Sequence, residues 1–314
     1  MDFKSALRTE RNYPKKRLEK KGTVAIAVVE STPIVFNGKL LRFQWMRHNS
    51  WGRYEGITSE HGYYIFIDME TEKPCCSPFA IDHAFGSAYT ENGVMYVNGV
   101  RGNGGGQIID FFESRDLENW EMTGSIEVGD DLHIYNTSCC KDDEGYLLAI
   151  EMGGSNPHVG KAFTNFFAKS TDMRNWTILP MDKNVFSPER YTACPVIRYY
   201  DGYYYIIHLE SLPYYRWLPY IVRSKDLVEF EPGLVNPIMC CDNDDKKIHP
   251  LVSFNEKDLD YIMGSVDSNN SDIDLCEYNG KTVIMYSWGN QLGKEFLAVA
   301  EYDGSEEEFL KSFF

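Results

Sequence analysis

The strongest constraint on this chain is a short motif that returns at a nearly constant interval. Ser114-Arg115-Asp116-Leu117-Glu118-Asn119-Trp120 is echoed by Ser170-Thr171-Asp172-Met173-Arg174-Asn175-Trp176 and by Ser224-Lys225-Asp226-Leu227-Val228-Glu229-Phe230. The first two copies begin 56 residues apart and the second two 54. Each follows an apolar run. That pattern reads as a strand, a turn closed by an Asp carboxylate on nearby backbone N–H groups, and an aromatic that opens the next strand. A second element runs in phase with it: an apolar strand, a tight turn and an aromatic-rich strand over 32–45, 87–99, 137–151, 193–210 and 272–288. Asn-Gly, Asp-Gly and Glu-Gly at these turns are hairpin signals.

Five such units of about 55 residues fill the span 30–314. A four-stranded antiparallel unit repeated radially is a propeller. The expected fold is therefore all-β: a five-bladed β-propeller with four-stranded antiparallel blades around a central axis. Residues 1–29 are expected to be a basic N-terminal arm, in which 23–30 is a candidate strand closing the ring against the last blade. Residues 30–314 are the expected catalytic domain. The long helical candidates lie at the ends, over 2–20 and 305–314.

Composition narrows the partners. The net charge of −16 argues against nucleic acid, because phosphate binding needs a basic surface. Residues 1–21 carry eight Lys/Arg against three Asp/Glu, so this arm is expected to pack on the acidic body or on a second copy of the chain in a homo-oligomer. No stretch approaches the roughly 20 apolar residues that span a bilayer, and the start of the chain has no apolar segment of the export type. Six of eight cysteines form adjacent pairs, which point to opposite faces of a strand and suit reduced thiols in a cytoplasmic protein. No metal-ligand spacing occurs, so neither a metal nor another cofactor is expected.

In a propeller the innermost strand of each blade begins near one mouth of the axial channel. Aligning Asn37-Gly38 with Asn279-Gly280 sets Glu30 opposite Asp272, and Glu189 precedes the fourth hairpin. Three carboxylates thus approach one mouth, the set that cleavage of a glycosidic bond requires. Glu189 is the candidate general acid, and Asp272 or Glu30 the base. Asp274 shares a strand face with Asp272 and is expected to point inward with it. Glu151 and Glu210 close apolar strands, where a charge needs a partner. They pair with an arginine such as Arg190 or Arg198, or they line the pocket as sugar ligands together with His208. His249, Trp51 and Trp217 complete the candidate substrate contacts, the tryptophans as stacking surfaces. The glycine-rich Arg101–Gly106 stretch does not match a phosphate cradle and reads as a hairpin.

The repeat, the strand Cys194-Pro195-Val196-Ile197-Arg198-Tyr199-Tyr200-Asp201-Gly202-Tyr203-Tyr204-Tyr205 and the count of five resemble the propeller glycosidases of families 43, 32, 117, 130 and relatives. The resemblance covers nearly all of 30–314. It implies an exo-acting, furanosidase-like glycoside hydrolase on a small oligosaccharide, with an acidic base in the first blade, a pKa-tuning aspartate in the third and a glutamic acid before a later inner strand. Glu30 stands where the family has Asp, and His133-Ile134-Tyr135-Asn136 offers no carboxylate in the third blade. Alternatives are a phosphorylase on the same fold, with Arg190, Arg198, Arg216 and His249 holding phosphate, and a non-catalytic propeller that binds sugar or protein.

Overall fold

The computed structural model describes residues 18–129, 132–153 and 163–314. The first strand, β1 (Leu18–Ile26), is followed by a four-stranded antiparallel sheet of β2 (Ser31–Phe36), β3 (Lys39–Met46), β4 (Tyr63–Asp68) and β5 (Lys73–Pro74). The next sheet holds β6 (His83–Glu91), β7 (Val94–Arg101), β8 (Ile108–Ser114) and β9 (Glu121–Glu127). The third holds β10 (His133–Lys141), β11 (Tyr146–Gly153), β12 (Thr164–Ser170) and β13 (Trp176–Ile178), with β14 (Val185–Phe186) also on β12. Then come β15 (Thr192–Tyr200), β16 (Tyr203–Leu212), β17 (Arg216–Ser224) and β18 (Phe230–Pro232). The last set is β19 (Asn269–Tyr278), β20 (Lys281–Gly289) and β21 (Glu295–Tyr302), to which β1 adds as the outermost strand. These last two sets join through one parallel bridge, Trp217 to Asn269, so the described strands fall into successive antiparallel sets of four, with β14 as an extra strand in the third. Their first strands touch in a closed cycle: β2 meets β6, β6 meets β10, β10 meets β15, β15 meets β19, and β19 meets β2. This is a propeller.

The repeated motif does two jobs. Its Asp accepts backbone N–H groups two and three residues on: Asp116 from Glu118 and Asn119 (3.0 and 2.8 Å), Asp172 from Arg174 and Asn175 (2.9 and 2.8 Å), Asp226 from Val228 and Glu229 (both 2.9 Å). Its aromatic then packs on the preceding sheet. Trp120 stacks on Phe79 at 3.9 Å, Trp176 on Phe111 at 5.1 Å, and Phe230 meets Phe186 at 4.8 Å. The period of the sequence is thus the spacing between packed sheets.

Closure of the ring rests on β1, which pairs antiparallel with β21 from Leu18 opposite Tyr302 to Ile26 opposite Phe296. The buried Lys20 ammonium uses all its protons, on Asp245 (2.8 Å), the Cys240 carbonyl (2.7 Å) and Asn270 Oδ1 (3.1 Å). Asp245, fully buried, also accepts from Tyr286 Oη (2.7 Å) and the Asp242 N–H (2.9 Å). Trp288 Nε1 donates to Thr23 Oγ1 (2.8 Å). The closing strand, Leu18–Ile26, thus overlaps the expected 23–30 and begins five residues earlier. Leu18–Lys20, expected at the end of a helix, are strand, because Lys20 finds its partners only when β1 lies on β21; the rest of 2–20 is outside the described residues. Helix α1 (Glu256–Gly264) has no sequence counterpart above, while α2 (Glu306–Lys311), capped by Ser305, falls within the C-terminal candidate.

Truncating one member of a buried ion pair leaves the other charge without compensation, at a cost of about 3–5 kcal/mol. Lys20→Met is expected to lower unfolding stability by that amount in a urea titration, and Lys20→Met with Asp245→Leu to recover part of it.

Candidate functional site

Four first strands carry a register shift just after their start: between Ala84 and Ser87, Ile134 and Thr137, Ala193 and Val196, and Ser271 and Asp274. Three of these shifts hold a non-glycine residue in the left-handed region, Phe85 (φ 53°), Cys194 (φ 51°) and Asp272 (φ 48°), and Glu30 (φ 49°) takes the same conformation just before β2. Such residues are strained and persist only where surrounding structure holds them. A bulge re-aims the side chain it carries. Here the bulges turn a ring of residues toward the axis.

The axial cavity, about 30 Å³, has Glu30, Asn136, Cys194 and Asp272 in its wall. Glu151, on β11, is 2% exposed and reaches the same place. Its Oε2 accepts from Asn136 Nδ2 (2.9 Å) and from the Cys194 N–H (2.7 Å). The Cys194 thiol donates to Asp272 Oδ1 (2.9 Å), and Ser271 Oγ donates to Asp272 Oδ2 (2.6 Å). One bulge residue, Cys194, therefore fixes two carboxyl groups. Glu30 is half-buried, and its Oε2 is enclosed without a hydrogen-bond partner among the described residues. Arg47 pairs with Glu295 beside it.

Burial is the main force on these acids. It pushes Glu151 up to about 7, against the pull of Asn136 and the Cys194 N–H. Burial and then the neighbouring Asp272 charge lift Glu30 well above the usual carboxylate range, with Arg47 opposing. Asp272 is raised by burial, with the Cys194 and Ser271 donors opposing. An arc of rings runs alongside: Trp45 to Phe85 (4.7 Å), Phe85 to Tyr135 (5.3 Å), Tyr135 to Phe163 (5.4 Å) and Phe163 to Tyr191 (5.2 Å). The charge of Glu151 acts on both Tyr135 and Tyr191, which places the arc beside the carboxyl groups. Among the described residues, no group of three His, Cys, Asp or Glu side chains is arranged to hold a metal ion.

Of the residues singled out from the sequence, Glu30, Glu151 and Asp272 come together. Glu189 does not join them in any contact and is exposed in the turn leading to β15. Asp274 lines the same axial cavity as Asp272, and its carboxylate also meets Arg198 (2.7 Å) at an adjoining cavity of about 330 Å³, where Arg198 reaches Glu306 (3.2 Å). Glu210 is an ion-paired group, bonded to Arg190 (2.6 Å) and His208 (3.1 Å). His249 lies against β1, its N–H on the Thr23 carbonyl (3.0 Å). Trp51 packs on Phe254 (5.1 Å), and Trp217 is half-buried on β17.

Sequence reasoning missed Cys194, Asn136, Phe85, Arg47 and Glu295. A signal existed for the first three. Glu30, Phe85, Asn136, Cys194 and Asp272 each stand seven residues before the turn residue Asn37, Asn92, Asp143, Asp201 or Asn279. Arg47 and Glu295 sit at the rim with no repeat to mark them.

The folded chain holds the Glu151 proton up to about pH 7, whereas an unfolded glutamate releases it near 4.5. Between those values the folded state binds more protons, so stability falls as pH rises. Denaturant titrations are expected to show a loss of stability between pH 5 and pH 8, of which Glu151→Gln removes about 2 kcal/mol, the raised Glu30 and Asp272 contributing the rest.

No family model and no curated protein matches this chain. Solved structures do. One described as a glycoside hydrolase aligns at TM-score 0.59 and 13% identity over 95% of this chain and 94% of that one. An endo-arabinanase of glycoside hydrolase family 43 from Bacillus licheniformis aligns at TM-score 0.53 and 13% identity, over 90% and 96%. A third, from work on the mannoside phosphorylases of family 130 and the glycoside hydrolases among them that target β-1,2 mannosidic linkages in Candida mannan, aligns at TM-score 0.54 and 14% identity, over 92% and 94%. The chain has the propeller fold shared by these glycoside hydrolases.

Proposed function

We propose that the protein is a five-bladed propeller glycoside hydrolase that cleaves O-glycosyl bonds of small neutral oligosaccharides. The observation that carries this is the meeting of Glu30, Glu151 and Asp272 from three different sheets at one axial mouth, beside an arc of aromatic rings. Glycosidic cleavage needs one carboxyl that holds its proton at neutral pH and one that is ionised. Glu151, pushed up to about 7 by burial, suits the acid. Asp272 receives a thiol and a hydroxyl, donors that favour its charged form, and suits the base. The unpartnered Oε2 of Glu30 is an acceptor for a sugar hydroxyl. Glu189, open to solvent at the approach to β15, is the alternative proton donor.

Three of the four candidate cations for phosphate speak for hydrolysis over phosphorolysis: Arg190 and Arg198 are engaged by Glu210 and by Asp274 with Glu306, and His249 stands at β1. Arg216 is exposed at the start of β17. The proposal includes exo-action, an inverting outcome of the kind given by carboxylates about 6.5–9.5 Å apart, and a cytoplasmic setting, which the eight free cysteines suit. Among the described residues no helix is long and apolar enough to cross a membrane. The proposed pairing of copies through the N-terminal arm concerns residues mostly outside those described.

On a panel of arabino-, xylo- and manno-configured aryl glycosides, Asp272→Asn and Glu151→Gln are each expected to lower kcat by about 10²–10⁴. Glu189→Gln is expected to stay near wild type, and phosphate not to stimulate the rate. Full activity in both Asp272→Asn and Glu151→Gln would sink the assignment, and loss of activity in Glu189→Gln alone would move the acid to the rim.

A further inference from the structure

Four hairpin tips in this ring require two successive left-handed residues, and the sequence supplies residues that adopt that conformation readily. They are Asn37-Gly38 (φ 50° and 77°), Asn92-Gly93 (52° and 72°), Asp201-Gly202 (49° and 76°) and Asn279-Gly280 (52° and 75°). The tip between β16 and β17 has the same left-handed pair, but there the residues are Tyr214 (φ 67°) and Tyr215 (φ 56°). In that region Cβ crowds the following carbonyl oxygen, and large side chains rarely enter it. Burial does not offset the strain: Tyr214 is 92% exposed and Tyr215 73%. Two apolar rings are held in solvent on a backbone that disfavours them.

The tip lies on the carboxylate face of the ring. β16 runs antiparallel to β15 with Glu210 opposite Thr192, so the β16–β17 tip is at the end where β15 begins, two residues before Cys194. Trp217 follows Tyr215 by two residues, with their rings 6.4 Å apart. It also forms the bridge to Asn269, three residues before Asp272. The aromatic tip is therefore linked to the strands that carry Cys194 and Asp272.

Resting on the glycosidase reading above, we infer that Tyr214, Tyr215 and Trp217 form an outer sugar platform. It takes the second and later units of a neutral oligosaccharide whose terminal sugar lies among Glu30, Glu151 and Asp272. Flat rings on a short, stiff tip present apolar faces to the C–H faces of sugars, and the phenol hydroxyls serve sugar hydroxyls. A backbone strained at an exposed position points to function when folding does not use the side chains. The acidic body, at −16, favours neutral chains over anionic ones.

The test replaces the pair with the residues used at the other tips, Tyr214→Asn with Tyr215→Gly, which preserves the turn. The variant is expected to melt about 2 °C higher than wild type. Calorimetric titrations use linear arabino-, xylo- and manno-oligosaccharides of one to five units, with Asp272→Asn present in both proteins to prevent turnover. Affinity should climb with length on one ladder, and the tip variant should lose about tenfold on the pentasaccharide while binding the monosaccharide unchanged. Equal pentasaccharide affinity in the two proteins, or no binding of any ladder, overturns the platform. So does a lower melting temperature, which would make the rings part of the packing, or a wild-type dimer that the variant abolishes in light scattering, which would make the tip a contact with a second copy. Cleavage is assayed separately with Asp272 intact. A chain that binds by length yet cleaves nothing keeps the platform and loses the hydrolase reading, and the reverse result keeps the hydrolase and loses the platform.

Discussion

The pairing of β1 with β21 is the interaction on which both the ring and the site depend. Without it the last set, β19–β21, has three strands and an open edge, a liability in any sheet. The buried Lys20–Asp245 pair makes the closure specific, since an ammonium with three satisfied protons fits one register only. The consequence reaches the axis. β1 ends at Ile26, the Ala27 N–H bonds the Glu295 carbonyl (2.8 Å), and the Ala27 carbonyl accepts from Ser50 Oγ (2.9 Å). Three residues later the chain presents Glu30. The same crossing that seals the ring thus aims a candidate catalytic carboxyl.

The site also draws on the stability that closure provides. Three acids are enclosed within one mouth, and the nearest arginine is already taken by Glu295. Each acid is raised by burial, so each disfavours the folded state once ionised. Left-handed residues at Glu30, Phe85, Cys194 and Asp272 add backbone strain of order 1–3 kcal/mol apiece. A ring of sheets packed through Trp120, Trp176 and Phe230 can hold such a cluster; a lone hairpin could not.

The fold was legible because its determinants are local and repeated. The Ser-x-Asp turns and the Asn-Gly tips are chemical signals read within a few residues, and their interval carries the architecture. The site was legible where it followed the same interval, at Glu30 and Asp272. At Asp274 the sequence did not show the bond to Arg198 that the carboxylate makes beside the axial cavity, because the bulge at Asp272 adds a residue without leaving a mark in composition. Glu151 was visible as a charge in an apolar strand, but nothing in the sequence chose between an ion pair and the axis. Its close analogue Glu210 took the other course, since Arg190 lies within reach of it.

The two ends of the axis differ for a topological reason. At one end the first two strands of four units join through two-residue turns, which leave no backbone free to build a site. The cavity there is lined by matched groups, with Arg198 between Asp274 and Glu306, and Tyr200 donating to Glu306 (2.8 Å). At the other end the chain crosses from outer to inner strand and makes the long connections over 47–62, 102–107 and 290–294. Connecting segments on a rigid scaffold are where function gathers. Charge is left unmatched at that end, with a buried Glu30 oxygen lacking a partner. Buried polar groups are as a rule paired, so the enclosed Glu30 oxygen, without a partner among the described residues, sets this mouth apart from the matched Arg198 cluster at the other.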